Sequence, residues 1–247
     1  MTPETLSGLN LVTEVLRAGR RQVKEILVSR EREDSRVRRV LELAAAAGVP
    51  VRKISRSQLD REIPDGSHQG VVARVDRLRF LSEGDLLSGC GSRPFLVVLD
   101  GIEDPRNLGA LLRSAVAAGV DGVLMSDRRN APLSPVAARA SAGASEWARI
   151  ANCGNVSAFL RRLRDRGTWT VGLDPEGERM WTDFDYRLGV AVVLGGEGRG
   201  LRPLVRRNCD ATVRIPMGEG TESLNVAAAA AVVLFEAVRQ RRDTKEN

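Results

Sequence analysis

A chain of 247 residues, 43% hydrophobic but only 4% aromatic, suits one large domain or two modest ones built on mostly aliphatic cores. No apolar run reaches the ~20 residues that span a bilayer, nothing at the start reads as a signal peptide directing the chain out of the cytoplasm, and three dispersed cysteines with a single histidine disfavour a disulfide framework or a structural metal site. The net charge of +6 is uneven: residues 1–80 hold 16 Lys/Arg against 11 Asp/Glu, residues 81–247 hold 22 against 21. A basic module ahead of a near-neutral one suits a polyanion-binding domain joined to a catalytic domain, or simply an arginine-rich solvated surface.

The pattern predicts a helix over 9–18, with Leu9, Val12, Val15 and Leu16 on one face and Gly19 as its stop. A strand follows over 24–29, a helix over 35–47, a strand over 49–54, a helical turn from Gln58 and a strand over 71–75. This alternation describes a small α/β sandwich over residues 1–78. Residues 79–93, with Gly84, Ser88, Gly89, Gly91 and Ser92, read as a linker.

From residue 94 the pattern is parallel α/β. Phe95 to Leu99 is a continuous apolar run, as a strand buried on both faces requires. Helix 108–118, strand 122–125, a small-residue helix over 135–142 and an amphipathic helix over 156–166 follow. Strands over 169–173, 190–194 and 211–215 come next, and an apolar, alanine-rich helix over 224–239 closes the pattern.

Three of these strands run into polar, glycine-bearing loops, the place where open α/β sheets hold ligands. The first loop is Asp100-Gly101-Ile102-Glu103-Asp104-Pro105-Arg106-Asn107-Leu108-Gly109, leading into a helix that carries Arg113. The second is Gly195-Gly196-Glu197-Gly198-Arg199-Gly200. It lacks the glycine spacing and following acidic residue of a dinucleotide fold. The third runs Ile215-Pro216-Met217-Gly218, through Gly220, to Ser223-Leu224-Asn225. Asn107, Ser223 and Asn225 suit helix caps, and Arg113 alone reads as a surface arginine. Glu197 resists a bland reading, since a turn flanked by glycines needs no carboxylate.

Taken together and in this order, the three motifs resemble those of the SpoU (TrmH) family of S-adenosylmethionine-dependent RNA ribose 2′-O-methyltransferases. Asp65-Gly66-Ser67-His68-Gln69-Gly70 is similar to the substrate-binding domain of the family's RlmB-like branch, which methylates a guanosine ribose in large-subunit ribosomal RNA. The resemblance implies a C-terminal SPOUT domain (94–247) with a parallel sheet and a trefoil knot, a small N-terminal α/β substrate-binding domain (1–78) like a ribosomal protein, and a homodimer through the C-terminal domain. It implies catalytic roles for Arg113, Asn107, Glu197, Ser223 and Asn225. Gly195, which admits close approach, together with Ile215, Leu224, Met217 and Gly218, is expected to hold S-adenosylmethionine.

A guanidinium normally stays protonated, so Arg113 is expected either to activate the hydroxyl, as the resemblance implies, or to bind phosphate and stabilise a developing alkoxide. RNA contacts are expected from Arg17, Arg20, Arg21, Lys24, Arg52, Lys53 and Arg56, and a structural or RNA-contacting role from His68 rather than a general-base role. The same chemistry on transfer RNA and a non-catalytic RNA-binding assembly factor are the alternatives.

Overall fold

The computed structural model describes residues 3–64, 68–126 and 128–243. Asp65, Gly66 and Ser67 of the expected substrate-binding motif lie outside the described residues.

In chain order the elements are β1 (Glu4–Ser7), α1 (Leu9–Ala18), β2 (Val23–Ser29), α2 (Ser35–Ala46), β3 (Val51–Ile54), α3 (Arg56–Glu62), β4 (Val71–Val75), α4 (Glu83–Ser88), β5 (Phe95–Asp100), α5 (Pro105–Ala117), β6 (Gly122–Met125) and α6 (Pro135–Ala140). A single 3-10 turn (Ala144–Glu146) precedes β7 (Ile150–Asn152), α7 (Val156–Asp165), β8 (Trp169–Leu173), β9 (Arg179–Met180), β10 (Val190–Gly195), α8 (Pro203–Asn208), β11 (Ala211–Arg214) and α9 (Val226–Asp243). They form two compact units. The first comprises residues 1–79 with 133–147, the second residues 80–132 with 148–247.

The first unit is built on a four-stranded sheet in the order β1-β4-β2-β3. β4 runs antiparallel to both β1 and β2, while β2 and β3 are parallel. Its core gathers the apolar stripe of α1 (Leu9, Val12, Val15) and that of α2 (Val37, Val40, Ala44) with Ile26, Val71 and Ala73 from the sheet. Ala138 of α6 joins this core, which is where the small-residue helix finds its close packing. Arg21 is buried here. Its side chain is 1% exposed and paired with Glu146, itself 0% exposed, through two 2.8 Å bonds, and with Glu4 at 2.7 Å. Arg21 is therefore not an RNA contact, because its donors are spent inside the protein.

The second unit carries a seven-stranded sheet in the order β7-β6-β5-β10-β8-β11-β9, every pairing parallel. All six residues of β5 and all six of β10 are buried, as their unbroken apolar runs demand. The two strands pair from Val190 opposite Phe95 to Gly195 opposite Asp100. Strand order reverses between them, so the loops leaving β5 and β10 diverge, which opens a crevice at their carboxyl ends.

The stretch expected as a linker is part of this unit. Leu81 donates its N–H to the carbonyl of Ile150 at 2.8 Å, and Ser82 caps α4 by accepting from the N–H of Asp85 at 3.1 Å. Leu86 is fully buried against Leu96, Leu124 and Ala151. The turn formers that suggested a linker are the cap and exposed positions of a short helix.

Candidate active site

The first loop is braced from beneath. Asn130, nearly buried, accepts the N–H groups of Gly101 (3.1 Å) and Ile102 (2.8 Å) and donates to the carbonyls of Leu99 and Ser126. Asp104, not Asn107, caps α5, accepting from the N–H of Arg106 at 2.7 Å with Pro105 in the first turn. Asn107 is thereby freed to point its amide outward.

The second loop folds back on itself. A side chain at Gly195 would lie 2.1 Å from the backbone carbon of Gly200, and one at Gly196 would lie 2.0 Å from the carbonyl oxygen of Gly101. Backbone packed this closely requires glycine. Arg202, just beyond, binds the buried carboxylate of Asp100 through Nε at 2.7 Å, fastening this loop to the end of β5.

The third segment ends at Asn225, whose Oδ1 accepts the N–H groups of Ala227 (2.9 Å) and Ala228 (3.4 Å) at the start of α9. The helix opens there rather than at Leu224. This cap fixes the amide's orientation, because Oδ1 is committed to backbone and Nδ2 must donate elsewhere. It donates to Oδ1 of Asn107 at 2.9 Å. Asn107 is then left to donate through Nδ2 to Oε1 of Glu197, which it does. One relay, Asn225 to Asn107 to Glu197, joins the three loops across 118 residues of sequence. Asn225 is both a helix cap and a member of the site.

Beside the relay lies a cleft of about 370 Å³, mainly apolar, whose walls include Leu173, Leu194, Ile215, Met217, Leu224 and Ala229. Small-molecule sites fall in the range of ~300–1,000 Å³. Of the residues singled out in the sequence, Gly195, Ile215, Met217, Leu224, Glu197, Ser223 and Asn225 line the cleft; Gly218, in the same segment, does not. Asp174 and Pro175 also line it and were missed in the sequence. The signal was there, in a fourth strand, β8, that ends in a polar turn. Asp174 accepts from Nε of Arg206 at 2.9 Å, so its charge is compensated.

Arg113 stands apart from the relay. Six residues of helix place it about 9 Å along the axis from Asn107 and roughly 120° around it. It is exposed and makes no hydrogen bond or ion pair among the described residues. His68 is buried and structural: its Nδ1 accepts the N–H of Gly70 at 2.9 Å and its Nε2 lies 2.9 Å from Asp60. The expected RNA contacts other than Arg21 are exposed or partly exposed. Arg17 pairs with Glu14 (3.0 Å), Lys24 with Asp76 (3.3 Å), Arg52 with Glu25 (3.6 Å) and Lys53 with Glu33 (3.5 Å). Exposed pairs of this kind are worth about 0–1 kcal/mol, so a phosphate can replace the carboxylate partner. Arg20 donates to the carbonyl of Glu146 at 3.2 Å, and Arg56 is exposed.

The thiols take no part. Burial pushes Cys153 up to about 11 and Cys209 up to about 12. Among the described residues no group of acidic, histidine and cysteine side chains is arranged to hold a metal ion, and no helix is long and apolar enough to cross a membrane.

At the carboxyl ends of a parallel sheet, a glycine loop, an amide–carboxylate relay and an apolar cleft together make a small-molecule binding site. The model of the SpoU rRNA methylase family matches residues 94–235, and that for RNA 2′-O ribose methyltransferase substrate binding matches residues 5–81. An uncharacterized tRNA/rRNA methyltransferase of Mycobacterium ulcerans is 42% identical over 97% of this chain and 78% of its own. The 23S rRNA (guanosine-2′-O-)-methyltransferase RlmB of Shewanella oneidensis is 37% identical over 97% of this chain and 98% of its own. In structure, the SpoU methyltransferase AviRb of Streptomyces viridochromogenes, solved in complex with S-adenosylmethionine, superposes with a TM-score of 0.81 at 27% identity, covering 97% of this chain and 90% of that one.

The chain belongs to the SpoU family. It is an S-adenosylmethionine-dependent RNA 2′-O-methyltransferase.

Proposed function

We propose that the chain methylates the ribose 2′-hydroxyl of a guanosine in large-subunit (23S) ribosomal RNA, in the cytoplasm. The observation that carries this reading is the 37% identity to the Shewanella enzyme over nearly the whole of both chains. The name of the Mycobacterium ulcerans relative, a tRNA/rRNA methyltransferase, admits a second reading, the same chemistry on transfer RNA.

The cleft fits the cofactor. It is largely apolar, of nucleoside size, and closed at one end by a loop too tight for any side chain at Gly195. Ile215, Met217 and Leu224 would hold the adenine, with Gly195 giving backbone access, and Gly218 belongs to the supporting segment. When bound, S-adenosylmethionine supplies a methyl group already activated on a sulfonium. The chain's contribution is then position and electrostatics. Asn107, held at both ends by Asn225 and Glu197, offers a fixed amide beside the cleft. Glu197 and Ser223 are placed to meet the ribose. Arg113, with no partner among the described residues, binds the adjoining phosphate and steadies the developing alkoxide as the hydroxyl proton passes to solvent water.

RNA is tracked by Arg17, Arg20, Lys24, Arg52, Lys53 and Arg56 of the substrate-binding module at residues 1–78, whose fold is that of a ribosomal protein. The methyltransferase module at 94–247 carries a trefoil knot. A homodimer covers the apolar face of α9, where Val232 is 37% and Phe235 48% exposed in the single chain.

The test is methyl transfer from radiolabelled S-adenosylmethionine to unmodified large-subunit ribosomal RNA and to bulk transfer RNA, with mapping of alkali-resistant linkages. Label at one guanosine of the ribosomal RNA is expected. Label in transfer RNA alone moves the target and overturns the proposal.

A further inference from the structure

The second unit has a second concavity, at the opposite end of the sheet from the cofactor cleft. It encloses about 510 Å³ and is lined by four arginines, Arg93, Arg187, Arg241 and Arg242, with Phe95 and Val238 among its apolar walls. Phe95 opens β5 and Gly195 closes the neighbouring β10. Six residues of strand therefore separate this pocket from the cofactor end, roughly 17 Å at ~3.3 Å per residue.

The four arginines are not equivalent. Arg241 is structural. Its Nε donates to the carbonyl of Tyr186 at 2.8 Å, its Nη2 to Leu188 at 2.6 Å and Pro94 at 3.2 Å, and its Nη1 to Arg93 at 3.3 Å. Its guanidinium also sits 4.7 Å over the ring of Phe95. Burial chiefly, with the charge of Arg93 adding to it and Asp121 opposing, holds this group below the usual arginine range. Arg187 is neutralised by Asp185 at 2.7 Å. The side chains of Arg93 and Arg242 are exposed and have no hydrogen bond or ion pair among the described residues.

Two carboxylates face this group. Asp185 is committed to Arg187, and Asp121 accepts the N–H of Phe95 at 2.7 Å. Four positive charges against two negative ones leave the pocket cationic. The carboxyl end of α5 opposes this with a partial charge of about half a unit. Its last carbonyls are already spent on the N–H groups of Ala118, Gly119 and Val120. Four other arginines of this unit are placed against carboxylates, Arg162 on Glu83, Arg164 on Asp210, Arg202 on Asp100 and Arg206 on Asp174, while others, Arg113 among them, stand alone on the surface. Here two are held in a cavity with no carboxylate of their own, beside a third whose charge is fixed by backbone.

We infer that this pocket is a docking site for the RNA backbone, in which Arg93 and Arg242 bind phosphate groups remote from the nucleotide being methylated. Guanidinium forks match phosphate oxygens in pairs. Contacts of this kind set register and affinity without reading sequence. The inference rests on the RNA-methyltransferase reading and adds a second anchoring point to it.

The test uses the full chain and unmodified ribosomal RNA, comparing wild type with the double variants Arg93→Ala/Arg242→Ala and Arg93→Lys/Arg242→Lys. Both residues are exposed, so folding and S-adenosylmethionine affinity serve as internal controls and stay at wild-type values. The alanine variant is expected to bind RNA about tenfold more weakly at 0.1 M salt. Losing two phosphate contacts lowers the slope of log affinity against log salt by about 1.4. KM for RNA rises while kcat is kept, and the lysine variant recovers most of the affinity.

Unchanged affinity and slope in the alanine variant would overturn the inference. So would weaker RNA binding accompanied by a change in oligomeric mass, which would make the arginines part of a subunit contact. Failure of the wild type itself to bind RNA would sink this inference together with the substrate reading, and only that outcome touches both.

Discussion

Two charged clusters of this molecule look alike on paper and do opposite things. In the first unit Glu146 is wholly buried against Arg21, with Glu4 completing the arginine's bonds. In the second unit Glu197 stands exposed at a cleft, held among the described residues by the amide of Asn107. A buried ion pair gives up hydration on both sides and has no donor left for a ligand; its role is to keep residues 133–147 on the first unit's core. The carboxylate at the cleft keeps its hydration and its spare lone pairs. The difference shows that charge becomes available to chemistry where the fold orients it without enclosing it.

The largest way to break this contrast is at Glu146. Removing one partner of a buried pair costs about 3–5 kcal/mol. Glu146→Ala should therefore lower the thermal midpoint by roughly 10 °C, followed by circular dichroism, while methyl transfer per folded molecule is kept. An unchanged midpoint would mean the pair contributes nothing. Glu197→Ala should do the reverse. Its melting curve should overlay that of wild type and S-adenosylmethionine affinity should stay within a few-fold, while kcat falls about 10²–10³-fold, the range for loss of one oriented electrostatic partner. Loss of folding in that variant would make Glu197 structural.

The smallest effect on the fold is expected from the exposed arginines and lysine of the first unit. Arg52→Ala/Lys53→Ala/Arg56→Ala should change stability by less than about 0.5 kcal/mol. It should lower the salt slope of RNA binding by about 2, for three phosphate contacts. An unaltered slope would remove this face from the RNA-binding surface.

How far the sequence reached follows from the same distinction. Runs such as Phe95 to Leu99 and Val190 to Leu194 announce strands because burial on both faces leaves no other pattern. The three loops were visible because glycine, asparagine and glutamate cluster at strand ends. What could not be read was partnership over distance. Arg21 meets Glu146 across 125 residues, and nothing local tells it from its neighbour Arg20. Asp104 took the cap that Asn107 seemed suited to, because Pro105 set the helix start three residues earlier than the apolar pattern indicated. Residues 79–93 looked like a linker because a six-residue helix shows too few turns to declare its period, and the burial of Leu86 depends on strands far along the chain.

The proposed function requires Asn107, Glu197 and Asn225 to act as one unit. The direct test is a double-mutant cycle on single-turnover methyl transfer with saturating S-adenosylmethionine and RNA, using Asn107→Ala, Asn225→Ala and the double variant. If Asn225 works by orienting Asn107, the double variant should be no slower than the slower single variant. Losses that multiply would show the two residues acting independently, and the relay would then be a set of neighbours rather than a device.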